Sequence, residues 1–188
     1  MSNLETFFEQ FEEWVLKDIK IVLELVNKEG NSLAPDRRVV VWRRPLVAGV
    51  ILICCAIDTL AAFRYGRTNN NVGTYFMRFV RDYFAQSRDT RYNDEQIYKG
   101  LRNALLHGYS LGSDLALSHT SASRHLTKEA NKIVIDVFSL QQDLEKVYSI
   151  YKSELKNGQH IPEFNDRWNY APLIQYFPDI DLKLNSRN

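Results

Sequence analysis

The chain has 188 residues, long enough for one domain with a hydrophobic core. A content of 45% hydrophobic and 12% aromatic residues is typical of a globular protein and excludes a disordered one. The formal net charge of +1 gives no overall sign of a nucleic-acid binder. The two cysteines and four histidines show no zinc-ligand spacing, so we expect neither a metal enzyme nor any other cofactor.

The first helix is predicted from about Asn3 to Lys28. Ser2 and Glu5 have the spacing of a capping box, and Gly30 is expected to end the helix. Residues 1–30 contain three lysines and seven acidic residues. This segment has neither the basic start nor the apolar run of a secretory signal, so we expect a cytoplasmic protein. Its apolar stripe fits either a core face or a dimer seam. The stripe comprises Leu4, Phe7, Phe8, Phe11, Trp14, Val15, Ile19, Val22, Leu25 and Val26.

A connector over residues 31–44 contains Val39-Val40-Val41-Trp42, which fits a short strand or an anchored loop. A helix is then predicted from Leu46 to Ala62, with Pro45 in its first turn. The helix is apolar nearly all round, which favours a central buried position. Its uncharged run from Pro45 to Ile57 is shorter than the ~18 residues that a membrane span needs, so we expect no membrane association.

Two features of this helix carry further expectations. The adjacent Cys54 and Cys55 have no other cysteine to pair with, so we predict buried, reduced side chains. Asp58 is a carboxylate on a buried helix and needs a partner, and Arg64 or Arg102 would serve.

Residues 65–71 form a turn-rich loop, and an amphipathic helix is predicted from Val72 to Phe84. Residues 61–102 carry eight basic side chains against four acidic ones, a net charge of +4. This basic stretch fits a solvated helix face or an RNA-facing surface. Arginines near tyrosines suit phosphates and stacked bases. The residues predicted to bind RNA or phosphate are Arg64, Arg67, Lys99 and Tyr109.

The most informative stretch is the helix predicted from Asn93 or Asp94 to Gly108. Asn93 and Gln96 have capping-box spacing, and Gly108 is placed to end the helix. Ile97, Leu101, Ala104 and Leu105 recur at helical spacing and would face the core. Lys99, Asn103 and His107 share a different face, and Arg102 is offset from it by about 100°.

Arg102, Asn103 and His107 together suit metal-free RNA cleavage. An imidazole exchanges protons near neutral pH, a guanidinium binds two phosphate oxygens, and an amide supplies a neutral donor and acceptor. The histidine would assist attack of the 2′-hydroxyl on the adjacent phosphate or protonate the leaving oxygen, while the arginine offsets developing charge. A histidine in a last helical turn is also common for capping reasons alone, so a purely structural helix end is an alternative.

The sequence Arg102-Asn103-x3-His107 resembles the Arg-x4–6-His motif of the HEPN-domain superfamily. Many members are metal-independent endoribonucleases of toxin–antitoxin, abortive-infection and related defence systems. The resemblance implies a mainly α, up-and-down bundle of about five helices that pairs two protomers around one cleft. It also implies RNA as substrate, a homodimer, and a cognate antitoxin or regulatory protein as partner. Other HEPN domains are binding modules, so a non-catalytic dimerisation, partner-binding or nucleotide-binding module is the alternative.

Beyond the motif, a small β-hairpin or meander is predicted over residues 114–137, a departure from minimal HEPN domains. His119 and His125 fall in this insertion and are expected at the surface. Ser139 and Gln142 are predicted to cap the last long helix, which would end at Asn157-Gly158. Residues 1–158 form the predicted HEPN-like domain. The Pro- and aromatic-rich extension 159–188 is expected to pack on it or on a partner.

Overall fold

The computed structural model describes residues 2–32, 43–66, 72–85, 92–108, 110–119 and 122–173. Over these residues the fold is mainly helical with one small sheet, which confirms the predicted mainly α class. The strand-or-loop alternative for residues 39–42 and most of the 65–71 loop lie outside the described residues. So do Arg67, Tyr109 and the end of the C-terminal extension.

Helix α1 comprises Asn3–Gln10, a π-helical stretch Phe11–Leu16, and Lys17–Ser32. The capping box is confirmed: the Glu5 amide donates to the Ser2 hydroxyl at 3.3 Å and the Ser2 amide donates to the Glu5 carboxylate at 2.7 Å. The predicted end at Gly30 is wrong, because the helix continues to Ser32. An interior glycine costs a helix only about 1 kcal/mol, too little to end it by itself.

Helix α2, Arg43–Tyr65, is the central element and contacts helices on several sides. Val50, Ile53, Cys54, Ile57 and Leu60 are almost completely buried, as the continuous apolar sequence predicts. Its Pro45–Tyr65 segment is long and apolar enough to cross a membrane by those two criteria alone, yet 61% of its most apolar window is buried inside the protein.

Helix α3 begins at Val72 and comprises Val72–Phe79 and the π-helical stretch Val80–Phe84. The motif helix, α4, comprises Asp94–Gln96, a π-helical stretch Ile97–Asn103, and Ala104–Gly108. Both helices pack against one another and against α2. The motif is therefore anchored directly on the central helix.

The insertion contains strands β1 (Leu115–Ser118), β2 (Thr127–Glu129) and β3 (Lys132–Asp136) in the order β1-β3-β2. Strands β2 and β3 form the predicted hairpin. Strand β1 instead pairs in parallel with β3, with Leu115 opposite Ile133, so the sheet is not a simple meander. A short 3-10 helix, Ala122–Arg124, lies in the connection between β1 and β2.

Helix α5, Val137–Lys156, follows β3 directly. The predicted cap by Ser139 is wrong: Asp136 is the N-cap, and its carboxylate accepts from the amide and the hydroxyl of Ser139. The predicted end is confirmed, because Gly158 has a φ of +80° and its amide donates to Leu155. Helix α6, Ile161–Tyr170, then packs on α2 and buries Phe164.

A buried hydrogen-bond chain connects the insertion to Tyr92, two residues before α4, and to α5. The Asp136 amide donates to Nδ1 of His125, whose Nε2 lies 2.8 Å from the Tyr92 hydroxyl. Tyr92 donates in turn to Asp143 at 2.8 Å. The expectation of a surface position for His125 is therefore wrong: only 1% of it is exposed, because the insertion folds over it.

Replacing Tyr92 by Phe is expected to lower the free energy of unfolding by about 2 kcal/mol. The change keeps the ring and removes the one hydroxyl that both His125 and Asp143 use, so that two buried polar groups lose a partner. Urea denaturation measures the difference. Tyr170→Phe is the matched control, since Tyr170 is 61% exposed. Equal losses in the two variants would contradict a structural role for the chain.

Candidate active site

The motif helix begins as predicted, but only half of its capping box forms. The Asn93 side chain accepts from the Gln96 amide at 2.9 Å, whereas the Gln96 side chain donates to Asp114 at 2.6 Å. Ile97, Leu101 and Leu105 are buried against the core as predicted. Ala104, predicted to lie beside them, is only half-buried.

The loop after the motif folds back onto the middle of α4. The Gly112 amide donates to the Gly100 carbonyl oxygen at 2.8 Å, and a Cβ on Gly112 would lie 2.7 Å from the Gly100 Cα atom. Such a close backbone approach is possible only for glycine. It occurs on the π-helical stretch, a conformation often found at functional sites. Because α1 and α3 also contain π-helical stretches, this conformation alone does not mark the site.

Arg102 is held by three side chains. Its Nε donates to the Asp58 carboxylate at 3.0 Å, its Nη1 donates to the Asn103 side-chain oxygen at 2.8 Å, and its guanidinium lies 5.6 Å from the Tyr98 ring centroid. The predicted partner for Asp58 is thus confirmed as Arg102, not Arg64. Only 15% of the Arg102 side chain is exposed. Within the described part of the chain, its Nη2 has no hydrogen-bond acceptor.

Asp58 is also largely enclosed, with 20% of its side chain exposed. Burial raises the pKa of Asp58, and the adjacent Arg102 guanidinium acts in the opposite direction. Its Oδ1 is buried without a hydrogen-bond partner among the described residues. The ion pair therefore compensates only part of the cost of placing this carboxylate on the core helix.

His107 lies in the last turn of α4, five residues after Arg102, and is exposed. No hydrogen bond or ion pair joins it to another described residue. The site thus combines a fixed guanidinium with an imidazole that is open to solvent. Such a pair suits an anion held by the arginine while the histidine exchanges a proton with it or with a neighbouring group.

Of the residues predicted to bind RNA or phosphate, the structure describes Lys99 and Arg64, and neither side chain forms a hydrogen bond or ion pair with Arg102, Asn103 or His107. Lys99 lies on α4, 68% exposed, but pairs with Glu95 at 2.5 Å. Arg64 lies at the end of α2, where its Nε donates to the Tyr83 hydroxyl at 2.7 Å and its guanidinium packs over the Tyr65 ring. No contact among the described residues joins Arg64 to Arg102, Asn103 or His107.

Arg64 instead belongs to a second polar cluster, in which Tyr83 donates to Glu154 and His160 lies 3.6 Å from that carboxylate. Burial, followed by the charge of Arg64, lowers the pKa of His160. The unfolded chain therefore binds more protons than the folded one just below pH ~6.5, and stability falls as the pH falls through this range.

Replacing His160 by Asn is expected to make stability less sensitive to acid between about pH 7 and pH 5. Asparagine tolerates the left-handed backbone of this residue, whose φ is +60°, and cannot titrate. Because His160 binds a single proton, it can change the free energy of unfolding by at most about 1.4 kcal/mol per pH unit. Urea denaturation across this range measures it. A residual slope is expected, because burial also lowers the pKa of His119. An unchanged slope would exclude a contribution from His160.

The prediction of a buried side chain is wrong for Cys55. Cys54 is buried as predicted, but Cys55 is exposed. Cys55 lies instead on the side of α2 shared by Ala48, Leu52 and Thr59, which are exposed or half-buried. For His125, by contrast, the sequence carries no signal of burial, because its partners come from distant elements.

Comparisons with protein families, with curated proteins and with solved structures found no match to this chain. The described residues also contain no group of three or more histidine, cysteine, aspartate or glutamate side chains placed to hold a metal ion. Function therefore has to be argued from the residues of the site.

Proposed function

We propose that this protein is a metal-independent endoribonuclease of the HEPN type. The observation that carries the proposal is the pairing, on one helix, of an exposed His107 with an Arg102 oriented by Asp58 and Asn103. A defence or toxin–antitoxin role, with a cytoplasmic location and a cognate antitoxin or regulator, is part of the same proposal.

In the proposed reaction the 2′-hydroxyl oxygen attacks the adjacent phosphorus. A new O2′–P bond forms, the P–O5′ bond breaks, and the products carry a 2′,3′-cyclic phosphate and a 5′-hydroxyl. His107 accepts the 2′-hydroxyl proton or donates a proton to the leaving 5′ oxygen. Arg102 stabilises the charge that develops on the phosphate oxygens through the donors not used by Asp58 and Asn103.

We further propose that the protein acts as a homodimer through one face of α2. Ala48, Leu52, Cys55 and Thr59 form a stripe at helical spacing whose members are exposed or half-buried, whereas Val50, Ile53, Ile57 and Leu60 on the other sides of the helix are buried. The stripe lies next to Asp58, which holds Arg102. Two copies joined here would bring two Arg102–His107 pairs towards one another and supply both an acid and a base.

Cys55 provides a direct test of this dimer. A short bismaleimide is expected to cross-link wild-type protein into a dimer and to leave Cys55→Ser monomeric on a denaturing gel. Cys54 serves as the internal control, because it is fully buried and the thiol has no access to the reagent. A monomer by light scattering at concentrations where RNA is cleaved would contradict the dimer.

A non-catalytic interaction module is the second candidate, and one observation favours it. Two of the three guanidinium nitrogens of Arg102 already donate to protein groups, and the side chain is mostly buried. An arginine with these contacts can have a structural role, in which it fixes the shape of a partner-binding surface. In that case a ligand would bind at Arg102, Asn103 and His107, or these residues would lie in the dimer interface.

Incubation with mixed RNA in excess EDTA separates the candidates. The nuclease proposal expects cleavage by the wild type and cleavage slower by about 100-fold or more in His107→Ala. Intact RNA with both wild type and variant folded and dimeric would favour the interaction module. Unfolding of His107→Ala would favour a purely structural helix end.

A further inference from the structure

A polar cavity of about 500 Å³ lies beside the first half of α4, within the size range of small-ligand pockets. Gly100 and Gly112, whose backbones approach closely, line it. Polar side chains form its walls, and these are Asn93, Glu95, Gln96, Lys99, Ser113 and Asp114. Neither Arg102 nor His107 lines it, so the cavity is separate from the candidate active site.

The charges of this cavity do not suit a phosphate. Its one cation, Lys99, is already paired with Glu95, and Asp114 adds a second carboxylate. Asp114 uses Oδ2 to accept from Gln96, whereas its Oδ1 accepts no hydrogen bond from the described residues. This oxygen lies close to both glycines, 2.9 Å from where a Gly112 Cβ would be and 3.4 Å from where a Gly100 Cβ would be. The cavity therefore offers acceptors for the N–H groups of a neutral ligand.

The cavity lies in line with the candidate catalytic group. Lys99, Asn103 and His107 follow at four-residue intervals, so the cavity and His107 lie along the same side of α4. Eight residues separate Lys99 from His107, about 12 Å at the α-helical rise and somewhat less across the π-helical stretch. An RNA strand with one phosphate at His107 can therefore place the base of a nearby nucleotide in the cavity.

We infer that this cavity is a subsite for a base that flanks the cleaved bond, and that it selects bases with an exocyclic amino group over uracil. The inference rests on the proposed ribonuclease function. Carboxylates accept hydrogen bonds from the amino groups of adenine, cytosine or guanine. Where cytosine has its N4 amino group, uracil has the carbonyl oxygen O4. This oxygen would be repelled by the Asp114 and Glu95 carboxylates.

The test measures cleavage and binding separately. Cleavage is followed in EDTA on single-stranded RNA oligonucleotides that differ at one flanking base, as kcat/KM. Binding is followed by fluorescence anisotropy on 2′-deoxy counterparts, which lack the attacking hydroxyl and stay intact. The variants are Asp114→Asn and Glu95→Gln, both nearly isosteric, and asparagine still accepts from Gln96. Glu13→Gln is the matched control, because Glu13 also pairs with a lysine four residues on, at 2.7 Å, in a distant helix.

The inference expects amino-bearing bases to be preferred by about tenfold in binding and in kcat/KM. Asp114→Asn should remove most of this preference, Glu95→Gln should weaken it, and Glu13→Gln should retain it. Cleavage without base preference, unchanged in Asp114→Asn, would overturn the inference and leave the ribonuclease intact. Selective binding without cleavage would support the cavity and overturn the ribonuclease. Absence of both selective binding and cleavage would overturn both.

Discussion

His107→Ala is expected to lower metal-independent RNA cleavage by about 100-fold or more, the usual contribution of a general acid or base. The side chain is exposed and makes no hydrogen bond to the described residues, so its removal costs the fold little. The loss should therefore appear in kcat, with the thermal midpoint and RNA affinity nearly unchanged.

Single-turnover cleavage in excess EDTA measures this loss, and circular dichroism reports on the fold. His160→Asn is a suitable control, since His160 belongs to the separate cluster around Arg64 and Glu154. Equal cleavage by wild type and His107→Ala would show that the cleavage uses another group.

Arg102→Ala is expected to reduce both activity and stability. It removes the phosphate-binding donors, with an expected loss of about 100-fold in cleavage. It also leaves Asp58 partly buried without its charged partner, which should lower the free energy of unfolding by about 2 kcal/mol. Arg102→Lys should not restore activity, because an ammonium cannot donate in a planar fork to Asp58, Asn103 and a phosphate together.

A double-mutant cycle with Asp58 separates the two effects. Asp58→Ala should loosen Arg102 and lower cleavage less than Arg102→Ala does, since the guanidinium itself remains. In the double variant the stability losses should be less than additive, because each single change already breaks the same ion pair. Strictly additive losses would show that the 3.0 Å contact contributes nothing measurable.

Local sequence patterns predicted most of the helical framework. Apolar periodicity placed the amphipathic helix at Val72–Phe84 and the core helix around Val50 to Leu60, where burial is nearly complete. Caps with short-range partners, such as Ser2 with Glu5, were also predictable. The cost of an unpaired carboxylate predicted a partner for Asp58, and Arg102 was one of the two arginines suggested for it.

Features that depend on distant residues were not predictable in this way. The parallel pairing of β1 with β3 is set by the crossover between them, and the burial of His125 depends on Tyr92 and Asp143 from other elements. The cap of α5 was placed wrongly because Asp136, read as part of a strand, also begins the helix. At the site, the sequence could not show that Arg102 is mostly buried, which depends on how α4 lies against α2.

The end groups of the RNA products test the central claim most directly. Wild-type protein with single-stranded RNA in excess EDTA is expected to produce fragments with 2′,3′-cyclic phosphate and 5′-hydroxyl ends, and a single 2′-O-methyl group at the cleaved nucleotide should block cleavage there. His107→Ala, folded as wild type, should produce these ends at least about 100-fold more slowly. Fragments with 5′-phosphate ends, or intact RNA with wild-type dimer, would contradict metal-free cleavage by Arg102 and His107.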